Sequence, residues 1–388
     1  MLIKNAVLET VEHGRIPHGF LQIESGKIVA MGNMEDCPKL DGLDYSGYTL
    51  YPGFIDCHCH LGMWEDSLGF EGEDGNEDTD PITPQLDALD AINPMDNCFQ
   101  EAVSAGVTTV VTGPGSANPI GGHWIALKTV GRRVDAMVVK RNIGMKFALG
   151  ENPKATYNDK NQTPVTRMAT AALIREQLQK AKRYQMDCQR ALEDEELDQP
   201  EYDAKCEALL PVLERKEKAF FHAHRADDIF TAIRLIREYQ LDGVLVHGTD
   251  GHLIADLLEE EHLPVITGPM ITDRSKPELR NQKIQNPAIL AKYQIPTAIC
   301  TDHPEVPIQY LPLSCGIAIK GGLSREKALQ AITIEPARIC GLEQRLGSLQ
   351  VGKDADIVVY PNDTDPFSVY SSPFQVIIDG KFVYEETK

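Results

Sequence analysis

From Ile55 onward the chain repeats one pattern, a short β-rich apolar segment followed by a stretch of helical periodicity. The β-rich segments are GFIDCHCH, VTTVVTG, GMKFALG, AFFHAH, GVLVHG, PVITG and PTAICTD; the helix-period stretches cover 85–105, 165–190, 204–218, 226–240, 252–261, 286–294 and 324–332. Consecutive parallel strands need a crossover of a dozen or more residues, and a helix supplies it. Seven or eight such units over about 290 residues predict a closed (β/α)8 barrel rather than an open sheet. The two ends of the chain have a different texture. LIKNAVLET, GFLQIES, GKIVAMG and YTLYPGF at the start, with turn signals at Ser25-Gly26 and Asp41-Gly42, are matched by DADIVVYP, FQVIIDG and KFVYEE at the end. The simplest arrangement is a small β-sandwich module formed by both termini, residues 1–52 and 345–388, with the barrel domain of residues 53–344 inserted between them.

The composition, 42% hydrophobic and 25% charged over 388 residues, excludes wholesale disorder and a disulfide-stapled miniprotein. The net charge of −20 repels phosphate backbones, so neither nucleic acid nor anionic membrane is expected as a partner. Much of that charge is local. Residues 65–80 and 193–203 carry 15 of the 58 carboxylates and no basic residue. The first segment follows the first barrel strand and is expected to overhang the face where barrel active sites lie, favouring divalent cations and cationic or neutral substrates; the second reads as a surface linker. Nine scattered cysteines form no disulfide framework and point to a reducing compartment. With no signal-peptide core and no apolar run of about 18 residues, a cytoplasmic location is expected.

The sharpest chemical signal is PGFIDCHCH. Residues i and i+2 of a strand share a face about 7 Å apart, so His58 and His60 can point into one cavity and share a metal, while Cys57 and Cys59 face the packing between sheet and helices. Other apolar strands also close on metal-capable residues. FFHAH offers His222 and His224, VLVHGTDGH offers His247 and His252, AICTDH offers Asp302 and His303, and GMKFALGE offers Lys146 and Glu151. In a parallel barrel all strand carboxyl ends meet on one face, so these distant residues can converge. The glycine-rich segment 113–123, GPGSANPIGGH, lacks the Lys-Ser/Thr pair of a phosphate-binding loop and reads as a tight turn with substrate-facing amides.

The whole set resembles the amidohydrolase superfamily of metal-dependent hydrolases. Its motifs are PGFIDCHCH at the first barrel strand, His222 and His247 at the fifth and sixth, and TD at 301–302 for the eighth; the tail EPARICGLEQRLGSLQVGKDADIVVY is similar to the segment by which imidazolonepropionase, dihydroorotase and hydantoinase relatives leave the barrel. Within the superfamily the chain resembles imidazolonepropionase-like and related amidohydrolases of unassigned substrate. The resemblance implies a distorted (β/α)8 TIM barrel with one or two divalent metals, zinc first and Mn, Fe or Ni as alternatives, activating water for attack on a small-molecule substrate. It implies that His58, His60 and Asp302 bind one metal and His222 and His247 a second. A carboxylated Lys146 bridges them in one version, Glu151 does so in another, and a mononuclear site uses neither. Asp302 would also move the proton from water to the leaving nitrogen. His224, Arg225, His252 and His303 are substrate-binding candidates, Arg225 through a fork suited to a carboxylate.

The expected activity is hydrolysis of a C–N bond in a cyclic amide or small dipeptide-like amide. The alternatives are amidine deamination, a phosphotriesterase-like activity on the same barrel, and a barrel that has lost catalysis and serves as a binding protein. Neither the monomer nor a homo-oligomer is favoured.

Overall fold

The computed structural model describes residues 1–65 and 68–386. Eight strands make the barrel sheet: β1 (Phe54–Cys59), β2 (Val107–Thr112), β3 (Ile120–Lys128), β4 (Val138–Ala148), β5 (Lys218–Ala223), β6 (Gly243–His247), β7 (Val265–Thr267) and β8 (Thr297–Ile299). They pair in sequence order around the sheet. β1, β2 and β5–β8 are almost wholly buried, which is why they read as near-continuous apolar runs rather than alternating ones. The ring closes through Asp56 of β1, whose carboxylate accepts hydrogen bonds from Thr301 N at 2.9 Å and Thr301 Oγ1 at 2.6 Å. Backbone bonds from Asp302 N to His58 O (3.2 Å) and from His60 N to His303 O (2.9 Å) complete the junction.

The distortion lies in β3. It runs antiparallel to both β2 and β4, so no helical crossover precedes it. The segment read as a turn over 113–123 therefore ends inside a strand: Gly121, Gly122 and His123 belong to β3. The turn that remains is tight for a packing reason, since a Cβ on Gly113 would sit 1.8 Å from Trp124 Cδ1.

Most helix-period stretches form helices, including Arg167–Glu193, Ala226–Tyr239, Ala255–Glu261, Asn286–Lys292 and Arg325–Gln330. Two are cut short. Within 85–105 the α-helix spans only Asn97–Ser104, because Pro94 interrupts the pattern and Asp96 then caps a fresh start, accepting from Cys98 N at 3.1 Å. Within 204–218 there are two single turns, Ala204–Glu207 and Leu210–Leu213, the second with Pro211 in its first turn.

The termini share one hydrogen-bonded sheet. Tyr48–Pro52 from the start of the chain pairs antiparallel with Ile357–Pro361 from its end, joining the strands Leu2–Glu9, Arg15–Glu24 and Lys27–Asn33 to Gln375–Ile378 and Lys381–Glu385. Its apolar face holds Ile3, Leu8, Leu21, Leu50, Ile357 and Ile377. No described helix is long and apolar enough to cross a membrane. All nine cysteines are free thiols, and Cys57 and Cys59 lie in apolar packing as alternation requires.

Candidate active site

Two metal-capable groups meet at the carboxyl end of the barrel. In one, His222, His224 and His247 bring ring nitrogens within 4.8 Å of one another; in the other, ring nitrogens of His58 and His247 and a carboxylate oxygen of Asp302 lie within the same distance. His247 belongs to both. The rings of His222 and His247 are 4.6 Å apart and those of His58 and His247 5.1 Å. Strand alternation carries His58 and His60 to this face, as expected. Two groups need a rarer backbone: His247 and Asp302 adopt φ values of +71° and +55°, in the left-handed region that non-glycine residues seldom occupy.

The imidazoles are held by their far nitrogens. His60 Nδ1 donates to Gly113 O at 2.6 Å and His247 Nδ1 to Gly268 O at 2.8 Å, which leaves each Nε2 as a lone pair facing the cavity. His222 Nδ1 meets Ser116 Oγ at 2.9 Å, and His224 Nδ1 meets Thr249 Oγ1 at 2.7 Å. Gly268 has no room for a side chain, since a Cβ there would lie 2.3 Å from Cys300 O. His58 stacks on Trp124 with centroids 4.4 Å apart, and Trp124 stacks on Phe220 at 5.0 Å, which fixes the floor of the site.

Several buried polar atoms here make no hydrogen bond within the protein: Nδ1 of His58, Nε2 of His222 and Nζ of Lys146. Such atoms are costly unless something else satisfies them. His58 Nε2 and His60 Nε2 lie 2.9 and 3.3 Å from Asp302 Oδ1, close to the spacing of about 3 Å between adjacent donors around a cation with bonds near 2.1 Å. The residues therefore fit a divalent metal ion by donor type, orientation and spacing.

Electrostatics agree. Burial pushes His58, His222 and His224 well below the usual imidazole range, and with neighbouring positive charge it brings His247 to about 4, so these rings are neutral donors near neutral pH. Burial works against the Asp302 carboxylate, but the imidazoles of His247, His58 and His60 outweigh it and keep the group ionised. Burial also lowers Lys146 to about 7; its amine sits 4.7 Å over the Trp124 ring.

The structure sorts the remaining sequence candidates. Lys146 is fully buried beside the histidines. Glu151 stands apart, because the chain turns into the helix Glu151–Asp159 and its Oε2 accepts from Glu278 N at 3.3 Å. Arg225 is spent on Asp227, with contacts of 2.9 and 2.7 Å, and does not line the cavity. Neither His252, bound to Thr249 O at 3.1 Å, nor His303, whose Nδ1 accepts from Ile308 N at 3.3 Å, lines it. His224 lines the cavity and also belongs to one of the metal-capable groups.

The cavity measures about 480 Å³. From the acidic segment 65–80 it takes only Asn76; Asp66 and Ser67 lie outside the described residues. Asp78 and Asp80 instead pair with Lys160 and Lys205 at 2.5 and 2.6 Å. Two of the segment's carboxylates are thus taken up by ion pairs, and none of its described carboxylates lines the cavity. Sequence reasoning missed Ser116, Trp124, Thr249 and Glu278. Glu278 is buried, with Oε1 3.7 Å from His224 Nε2, and burial raises it to about 7. Nothing in SKPELRN marks it, and Asp56 was missed too, although it shares the alternation of His58 and His60.

Residues 49–383 match the family model described as Amidohydrolase family. The chain is 39% identical to an amidohydrolase of Thermotoga maritima whose crystal structure superposes with a TM-score of 0.95, covering 99% of this chain and all of that one. It is 29% identical to the amidohydrolase tasK of Hapsidospora irregularis over 95% of its own length, and spans only 40% of that larger protein. An imidazolonepropionase of Colwellia psychrerythraea is 24% identical over 90% of this chain and 86% of its own.

Proposed function

The chain belongs to the amidohydrolase family, and on that premise we propose that it is a metal-dependent hydrolase of a C–N bond in a small cyclic or open-chain amide. The observation that carries this reading is the sharing of His247 between two donor groups beside one cavity. His58, His60, His222, His224, His247 and Asp302 would hold the ion or ions, with zinc the first choice for a set rich in imidazole. A divalent ion bound there would supply an acidified water and polarise the scissile carbonyl.

The chain's own residues do the rest. Carbonyls of Gly113 and Gly268 fix the tautomers of His60 and His247. The ionised Asp302 accepts a proton from the attacking water and returns it to the leaving nitrogen. Lys146 offers a buried amine with no hydrogen-bond partner, and on carboxylation by CO2 it would become an anionic donor between the two groups. The test is turnover of a panel of cyclic amides, acyl amides and amidines by metal-loaded protein, with aryl phosphotriesters alongside. Hydrolysis of C–N substrates that disappears on chelation and returns with metal is expected. Turnover of phosphotriesters alone would overturn the assignment.

A further inference from the structure

Part of the cavity wall is formed by the segment that follows β7. It contributes Arg274, Lys276 and Lys283, against Asp302 and Glu305 on the β8 side. Most ion pairs elsewhere match a lysine or arginine with a carboxylate, yet among the described residues none of these three cations has a carboxylate within 4 Å. Lys276 and Arg274 are held by neutral oxygens instead: Lys276 Nζ donates to Asn152 Oδ1 at 2.9 Å, and Arg274 Nη2 donates to Gln282 O at 2.9 Å. Asn152 and Gln282 line the same cavity. Lys276 and Arg274 are therefore positioned by neutral acceptors rather than by direct ion pairs. A concave wall with three unpaired cations concentrates anions and gives them charge-assisted hydrogen bonds.

Resting on the C–N hydrolase reading of this cavity, we propose that Lys276 and Arg274, backed by Lys283, form an oxyanion-binding wall. It takes a carboxylate or phosphate group of the substrate while the C–N bond lies against the histidines and Asp302. The substrate class is then a small amide or amidine with an anionic group at the end away from the scissile bond. This reverses the expectation drawn from the acidic segment, and it replaces Arg225, whose fork is already occupied.

The test is binding, which needs no turnover. Metal-loaded protein is titrated calorimetrically with glutaramate, its neutral counterpart glutaramide, and inorganic phosphate. The wild type should bind glutaramate at least about tenfold more tightly than glutaramide. That preference should fall toward unity in Lys276→Met and in Arg274→Ala and persist in Lys276→Arg, each variant checked for unchanged metal content and thermal midpoint. Phosphate that competes with glutaramate in the wild type but not in Lys276→Met extends the wall to phosphate esters; phosphate that fails to compete restricts it to carboxylates. Equal binding of the acid and the amide, a preference unmoved by both Lys276→Met and Arg274→Ala, or no glutaramate binding up to about 10 mM would overturn the proposal. A chain that prefers glutaramate and hydrolyses nothing in the C–N panel would sink the hydrolase reading and leave the wall standing.

Discussion

Two buried lysines on neighbouring barrel strands show how differently the two ends of this barrel treat charge. Lys128 closes β3 and, because that strand runs backwards, lands at the end where the other strands begin. There it meets three carboxylates: Asp356 in direct contact, Asp354 at 3.2 Å and Asp379 at 3.5 Å. Burial works against its charge, but those carboxylates outweigh it and raise its pKa. Lys27 and Arg345 also pair with Asp354, so the cluster joins barrel and terminal sheet through satisfied ion pairs. Lys146, on β4 near the opposite end, has no hydrogen-bond partner, and burial takes it down to about 7. A buried charge paired on every side holds structure together; a buried polar atom left open at a cavity is held ready for something the chain itself does not supply.

If that contrast is right, substitutions at the two ends should fail in different currencies. The largest effect belongs to the residue common to both donor groups. His247→Ala should lower turnover roughly a thousandfold or more and lower bound metal, with little change in the unfolding midpoint of the metal-free protein. Metal content and kcat near those of the wild type would break the comparison at its functional end. At the other end, Lys128→Met leaves Asp354 and Asp356 buried without their shared cation. It should cost about 3–5 kcal/mol in denaturant unfolding, while turnover per folded molecule changes little. A large loss of kcat with intact stability would show that the two ends are not separable.

A smaller effect is expected behind the donors. Ser116 touches no proposed ion, yet its hydroxyl orients His222. Ser116→Ala should weaken metal affinity by about 10- to 100-fold, read by competition with a chelator, whereas loss of a ligand removes binding outright. An unchanged affinity would mean that barrel packing alone orients the ring.

The same contrast explains what the sequence disclosed. The His-x-His of β1, the histidines closing β5 and β6 and the aspartate after β8 were legible because strand period and barrel geometry are both local rules. β3 was not, because Gly121 and Gly122 imitate a turn and an antiparallel strand brings no helix to announce it. Glu151 misled for a related reason: a residue just past a strand end faces the cavity only if the chain continues straight, and here it enters a helix. The cationic wall was invisible, because in SKPELRNQK nothing separates a lysine that lines a cavity from one in solvent. The paired cluster at the far end was equally hidden, since Lys128 and Asp356 are brought together across 228 residues by two sheets.

The smallest expected effect tests whether paired charge remains structural at the edge of the terminal sheet. Glu12 accepts from Ser348 Oγ at 2.6 Å and Lys353 Nζ at 3.2 Å, and pairs with Arg338 at 2.8 Å. Partial burial opposes its charge, but Ser348, Lys353 and Arg338 outweigh it and lower its pKa below the ordinary glutamate value. A carboxylate whose folded pKa is depressed contributes stability that is fully present above its unfolded value, about 4.3, and is lost as pH falls through the folded one. Glu12→Gln should therefore be slightly less stable than the wild type at pH 7, and the two should converge in acid as the wild-type carboxyl protonates. Because the group is partly open to water the gap is small and shrinks with added salt, so urea unfolding at low ionic strength is the measurement to make. A gap that stays constant from pH 7 to about pH 3 would assign the effect to lost packing rather than charge, and would place Glu12 outside the electrostatic seam that Lys128 anchors.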